Sequence, residues 1–273
     1  MNRIQKLYYH IIQHPIRSSL TVLLLVSVIV ISLSLPLYIH NFDEMYLNVL
    51  AEAHGMIFDI LIIGVLLYWL REQGDKRQRI RQYIDEIDDF RLWESEEAAF
   101  RNVGNIKRLN RHGITKIDLV GAYLTKTNLS KVNLTGANLN TANLANAVLI
   151  EATLKEARMN QTNFENANLN QANLQGTYAS GANFKDAFLI KADFTGAFLI
   201  KANFNNSYLM EANLQKCALA EANFENANLY KADFRGADGL TLEQLSKAKS
   251  LYLAKFDQDI YEQLKDHIPD LIG

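Results

Sequence analysis

The chain has 273 residues, with 28 Lys and Arg against 30 Asp and Glu and a formal net charge of −2. That balance supplies no overall field to draw in nucleic acid or an acidic partner. The single cysteine, Cys217, excludes an internal disulfide and any cysteine metal cluster.

Residues 1–18 carry Arg3, Lys6 and Arg17, with Ile4, Leu7, Tyr8 and Ile11 at helical spacing, which predicts an amphipathic segment at a membrane surface. Residues 19–39 hold no charge and are long enough to cross a bilayer. A second apolar run, 49–70, ends in GMIFDILIIGVLLYWL, with Tyr68 and Trp69 where interfacial aromatics belong. The pattern predicts two transmembrane helices, 19–39 and 49–70, joined by an external loop at 40–48. Arg3, Lys6 and Arg17 precede the first span, Arg71, Lys76, Arg77, Arg79 and Arg81 follow the second, and the loop has no Lys or Arg. The positive-inside rule then places both termini on the cytoplasmic side.

Glu52, His54 and Asp59 interrupt the second span. Asp59 lies roughly 15 Å in, where a charged carboxylate costs about 2.5–3.5 kcal/mol. Glu52, Gly55 and Asp59 share a helix face, and Ala51-x-x-x-Gly55 permits close helix approach. One reading is a proton- or ion-handling site or a polar seam; the other is a hydrogen bond to Ser27 or Ser32 within the hairpin. A loop this short has no room for a re-entrant selectivity filter.

Residues 71–116 read as a helical linker and N-terminal cap. Ile80, Tyr83, Ile84, Ile87 and Phe90 mark one helix; a second begins after Ser95, carries Phe100, Val103, Ile106 and Leu109, and stops with Gly113 just beyond its end. Arg101, Lys107, Arg108 and Arg111 make it basic, suited to a solvated plug or to anionic lipid heads.

From 117 to 236 a five-residue unit repeats 24 times; from Ala137 it reads ANLNT, ANLAN, AVLIE, ATLKE. Its third position, Leu119 to Phe234, is Leu or Phe in 22 units, the exceptions being Met159 and Ala179, and the residue two earlier is mostly Ala. A period of five fits neither a helix nor a strand and marks a solenoid. One large and one small inward residue per unit suit a narrow tube. Tandem A-[DN]-[LF]-x-x resembles the signature of the pentapeptide-repeat family over these residues. The resemblance implies an all-β solenoid, a right-handed quadrilateral parallel β-helix with one unit per side. Six coils then follow, roughly 29 Å long at strand spacing. Reading every twentieth residue stacks Leu124, Leu144, Phe164, Phe184, Phe204 and Phe224 in the core. The unit Thr177–Gly181 is the weakest, with a small void or bend expected at Ala179, and Cys217 takes an inward small-residue position.

Residues 237–273 read as a C-terminal helical cap. Thr241 to Gln244 has capping-box spacing, Leu251, Leu253 and Phe256 are expected to cover the last coil, and Asp257 caps a helix holding Ile260, Tyr261 and Leu264.

Outward side chains on a convex tube do not converge, and all six histidines lie outside the repeat. Without zinc spacing, a phosphate loop or a nucleophile elbow, the chain is not read as an enzyme; no cofactor, metal, small-molecule substrate or nucleic acid is expected. Some family members, the resemblance implies, imitate DNA and bind type II topoisomerases. The ten basic and ten acidic residues of 117–236 leave this repeat neutral and argue against that role. One side stands out: Val148, Ile150, Phe188, Ile190, Tyr208, Met210 and Tyr230 occupy outward positions elsewhere filled by polar residues, although Phe198 and Ile200 lie on the opposite side. The column Glu151, Gln171, Lys191, Glu211, Lys231 runs beside it. The expectation is a bacterial inner-membrane scaffold whose cytoplasmic solenoid binds a protein or its own copy, unless the terminal helices cover that side. The alternative is an accessory to ion or proton transport through Glu52 and Asp59.

Overall fold

The computed structural model describes residues 28–29, 31–32 and 42–272. Segment 1–18, Ser27 and most of the expected first span, 19–39, lie outside the described residues. The chain divides into two compact units, residues 1–74 and 75–273.

Helix α1 spans Phe42–Phe90. It therefore takes in residues 42–48, which the hydropathy pattern assigns to an external loop. Residues 71–90, read from the sequence as a separate helix, are its continuation. In the first unit its apolar side chains, among them Ile57, Phe58, Leu61 and Leu67, are exposed. Among the described residues it supplies the one stretch, Ala51–Phe90, long and apolar enough to cross a membrane.

The second unit opens with the end of α1 and with α2 (Glu96–Arg111), whose N-cap Ser95 accepts from the Ala98 amide. Its buried stripe is Ala98, Ala99, Asn102, Val103, Asn105, Ile106 and Leu109. Phe100, expected on that stripe, is 62% exposed. Val103, Ile106 and Leu109 join the core of the coils, and Phe100 lies off the buried stripe.

Beyond α2 the chain coils. Residues 20 apart form parallel bridges, and Asp118↔Asn138, Tyr123↔Asn143, Asn128↔Val148 and Asn133↔Thr153 are the four sides of one coil. Each side is a single bridge because five residues must both cross a side and turn a corner. At the first corner the Ala122 amide donates to Leu119 O at 3.0 Å, with Gly121 at φ +66°. Positive φ at the third turn residue alone is type II geometry. All 24 units place their fifth residue there, six as Gly and 18 as other residues such as Lys126, Glu151 and Asn206.

The large third residues fill the tube. Phe164, Phe184, Phe204 and Phe224 stack at 5.0–5.3 Å, tilted by no more than 4°. Where Ala gives way to a hydroxyl, a wall carbonyl accepts it: Thr127 Oγ1 donates to Leu124 O (2.7 Å) and Ser207 Oγ to Phe204 O (2.7 Å). The ladder keeps its register through Thr177–Gly181, with Ala179 N donating to Phe198 O (2.8 Å) and Gly181 N to Ile200 O (2.8 Å).

Both open edges are closed. On the first coil, Asn110 imitates a missing strand: its Nδ2 donates to Asn133 O (2.8 Å) and its Oδ1 accepts from Asn133 N (2.8 Å). Arg91 O accepts from Tyr123 N (2.8 Å). At the far end, α3 (Leu242–Ser246) starts with the expected capping box, Thr241 with Gln244. The α3 segment replaces one side of a seventh coil, and Gln244 Nε2 donates to Leu219 O (2.8 Å) and Ala222 O (2.9 Å). The coil then resumes with a shift of 22 residues, through Asn228↔Ser250 and Asp233↔Lys255. Leu251 is buried and Phe256 stacks on Phe234 at 5.2 Å. Leu253, expected in the lid, is instead an exposed corner residue at φ +60°. Helices α4 (Gln258–His267) and α5 (Pro269–Ile272) finish the cap. Asp257 precedes α4 as expected, but its carboxylate accepts from Gly236 N (2.8 Å) and makes no cap bond to the helix.

Two substitutions test this closure. Gly239 has φ +72°, and a Cβ there would lie 2.8 Å from Ala220 N. Gly239→Ala should cost roughly 1–3 kcal/mol in chemical denaturation, whereas Gly196→Asn, at a corner with open space around it, should bear only the backbone cost of the left-handed region, about 1 kcal/mol for Asn. Asn110→Ala should strip hydrogen-exchange protection from the Asn133 amide, leaving the amides of the middle coils as slow as before.

Candidate interaction surface

The bridges Val148↔Asn168, Asn168↔Phe188, Phe188↔Tyr208 and Tyr208↔Asn228 put the predicted second-position residues on one side. Phe188 and Tyr208 lie on adjacent coils, their rings 5.0 Å apart and tilted by 4°, and they are 41% and 40% exposed. Ile190 and Met210 follow two positions later, half-buried in the same coils. Within the second unit, the C-terminal helices α3, α4 and α5 leave the two rings exposed. Val148 and Ile150, both half-buried, are separated from the stack by the coil of Asn168 and Asn170. Tyr230 is turned to another neighbour, stacking on Tyr252 of the seventh coil at 6.0 Å, with Lys231 Nζ 5.0 Å from its ring centre.

An aromatic at the second position has a backbone consequence. Asn there accepts from the amide two residues on, as Asn168 Oδ1 does from Asn170 N (3.1 Å). Phe188 cannot, and Asn170 Oδ1 on the preceding coil accepts the Ile190 amide instead (2.9 Å). The same substitution occurs on the opposite side, where Tyr178 stacks on Phe198 at 5.0 Å and Asn160 Oδ1 accepts from Ser180 N (3.0 Å). Tyr178, Phe198 and Ile200 are exposed. Sequence reasoning marked Phe198 and Ile200 but missed Tyr178; counting back 20 residues from Phe198 would have found it.

Charges on the coils pair across neighbouring turns: Lys131 with Glu151 (3.5 Å), Lys191 with Glu211 (3.6 Å) and Lys201 with Glu221 (3.5 Å). Such exposed pairs add little stability, but they cancel charge along the surface. The Lys185 ammonium is held above its ordinary range by its hydrogen bond to Glu165. Burial raises the Asp233 carboxyl, but hydrogen bonds from Arg235 and Gln215 outweigh it and hold the group at about 2.

The Pentapeptide repeats family (8 copies) matches residues 115–140, 127–166, 142–178, 167–206 and 207–238. Residues 115–238 are pentapeptide repeats. HetL, a pentapeptide repeat protein involved in heterocyst differentiation regulation in the cyanobacterium Nostoc sp. strain PCC 7120, is 23% identical. That match covers 55% of this chain and 78% of HetL, with a TM-score of 0.33. A pentapeptide repeat protein of the Arabidopsis thaliana thylakoid lumen is 24% identical over 38% of this chain and 69% of its own, with a TM-score of 0.30. Full-length QnrB1, a plasmid-mediated fluoroquinolone resistance protein, is 15% identical over 56% of this chain and 85% of its own, with a TM-score of 0.33. No curated protein matches the chain in sequence.

Outside the pentapeptide repeats, Glu52, His54 and Asp59 lie on α1 with exposed side chains. Of the two serines expected to meet Asp59, Ser32 is exposed and Ser27 lies outside the described residues. Among the described residues no group of His, Cys, Asp and Glu is placed to hold a metal ion.

Cys217 is buried inside the tube, its Sγ 2.9 Å from Phe194 O. Burial pushes the thiol up to about 12, so the reactive thiolate is scarce at neutral pH. The folded chain should resist a maleimide at pH 8, and the denatured chain should label fully; rapid labelling of the folded chain would contradict the inward placement.

Proposed function

We propose that this chain is a non-catalytic, membrane-anchored scaffold whose pentapeptide-repeat unit presents a rigid side to a protein partner. The observation that carries this reading is the exposed Phe188–Tyr208 stack. Covering two rings and the adjoining Ile190 and Met210 removes apolar surface from water, and a side already ordered by its ladder loses little freedom on binding. We read the solenoid as right-handed and quadrilateral, as the family resemblance implies. The exposed apolar part of α1 supports the bilayer as a second partner, since such a run is unfavourable in water unless lipid or protein covers it. The basic residues Arg71, Lys76, Arg77, Arg79 and Arg81 support a cytoplasmic repeat unit behind a two-span anchor in a bacterial inner membrane. Paired charges on the coils weigh against imitation of DNA.

The double variant Phe188→Asn and Tyr208→Asn installs the repeat's own polar surface residue. It should keep the fold, with a stability change within about 0.5 kcal/mol, and lose the complexes that chemical cross-linking captures in intact membranes. Complexes of unchanged size would overturn the reading.

A further inference from the structure

Two opposite sides of the solenoid expose stacked rings, and their charges distinguish them. On the Phe188–Tyr208 side, the ion pair Lys191–Glu211 lies on the same two coils as the ring pair. On the Tyr178–Phe198 side, the ion pair Lys201–Glu221 is displaced by one coil from the rings.

This difference matters for self-recognition. Consider a twofold axis lying in the contact plane, across the rod and midway between the coils of Phe188 and Tyr208. It reverses coil order and keeps each residue at its own edge of the side. Phe188 then meets Tyr208 of the second copy, and Lys191 meets Glu211 of the second copy. The next pairs outward are Asn168 with Asn228 and Gln171 with Lys231, so no like charges are opposed. On the opposite side, the axis that pairs Tyr178 with Phe198 brings Lys201 onto Gly181. The axis that pairs Lys201 with Glu221 instead brings Phe198 onto Ala218. A parallel arrangement of either side sends the charged columns to opposite edges, where they find no mates.

We propose that the partner of the Phe188–Tyr208 side is a second copy of this chain, docked antiparallel about that twofold axis, with two Lys191–Glu211 pairs flanking four rings. This rests on the reading above that this side is the contact surface. An isologous contact of this kind is self-limiting, so it yields a dimer and not a fibre. A side one unit wide is smaller than a standard interface, so the flanking charges weigh heavily and added salt weakens the dimer.

The test uses the full chain in detergent micelles, with the buried Cys217 left in place. Lys191→Cys and Glu211→Cys are made as separate chains and oxidised alone and as an equal mixture. A disulfide-linked dimer is expected in the mixture, not in either variant alone, and is expected to be lost when Phe188→Asn and Tyr208→Asn are added. Linkage of Lys191→Cys to itself would overturn the antiparallel geometry. A wild-type chain of single-chain mass by light scattering would overturn self-association. The contact surface itself would then be judged by whether the Asn variants still lose their cross-linked complexes in membranes. A mixture dimer that persists at full yield in the Asn background would sink both the surface and the dimer.

Discussion

Every fifth residue of the repeat turns through a left-handed corner, and the rest of the second unit depends on that corner. A non-glycine residue held there costs on the order of 1–2 kcal/mol, and 18 of the 24 corners bear that cost. What they gain is twofold. The corner sets a constant side length, so the third residue of each unit always points inward, where a buried Leu or Phe contributes about 1.5–3 kcal/mol. The corner also aims its own amide along the rod: Lys126 N donates to Ala145 O (3.0 Å) and Lys131 N to Ile150 O (2.9 Å). Strain at the corner is thereby offset by core burial and by the ladder between coils.

How much of this was legible in the sequence depended on whether a feature obeyed the period. Leu119 to Phe234, the Phe164–Phe224 stack and the inward Cys217 all follow from counting by five or twenty. The seventh coil did not, because α3 inserts two extra residues and shifts the register from 20 to 22. Its units also lack the signature, since Lys249 stands where Ala belongs and Ser250 and Lys255 stand where Asn belongs. Phe100 was misread for a different reason. Hydrophobic spacing picks out the large residues Val103, Ile106 and Leu109, but the N-terminal turn of the buried stripe is Ala98 and Ala99, which a search for large residues passes over in favour of Phe100. On α1 the apolar run was plain, but Asp43 and Glu44 suit a helix N-terminus as well as they suit a loop.

The predicted surface residues were brought together on one side, yet they are not equivalent. Val148 and Ile150 stand apart from the Phe188–Tyr208 stack, and Tyr230 belongs to the C-terminal closure. The polar second position is part of the coil's hydrogen bonding, since Asn there ties down the amide two residues on. An aromatic in its place removes that acceptor. Asn170 and Asn160 replace it from the coil before, for Ile190 and Ser180 respectively. Phe188 and Tyr178, the first ring of each stack, thus have an Asn 18 residues before them, whereas Tyr208 and Phe198, the second rings, have Ile190 and Ser180 at that place.

A stack of coils with bare ends invites end-to-end pairing, because each terminal coil displays unpaired amides and carbonyls. Here side-chain amides close both ends: Asn110 pairs with Asn133 at one, and Gln244 covers Leu219 and Ala222 at the other. What the closed ends leave exposed is the sides. One of these is a polar ladder in which Asn163, Asn183, Asn203 and Asn223 each donate to the Asn twenty residues before. Such a ladder satisfies itself within the chain and has little to offer a partner. The two ring-bearing sides do, and they differ in whether rings and opposite charges share the same coils. The interior repeats too faithfully to tell one side from another. That information lies in the residues that break the period on the outside, and above all in their height along the rod relative to one another.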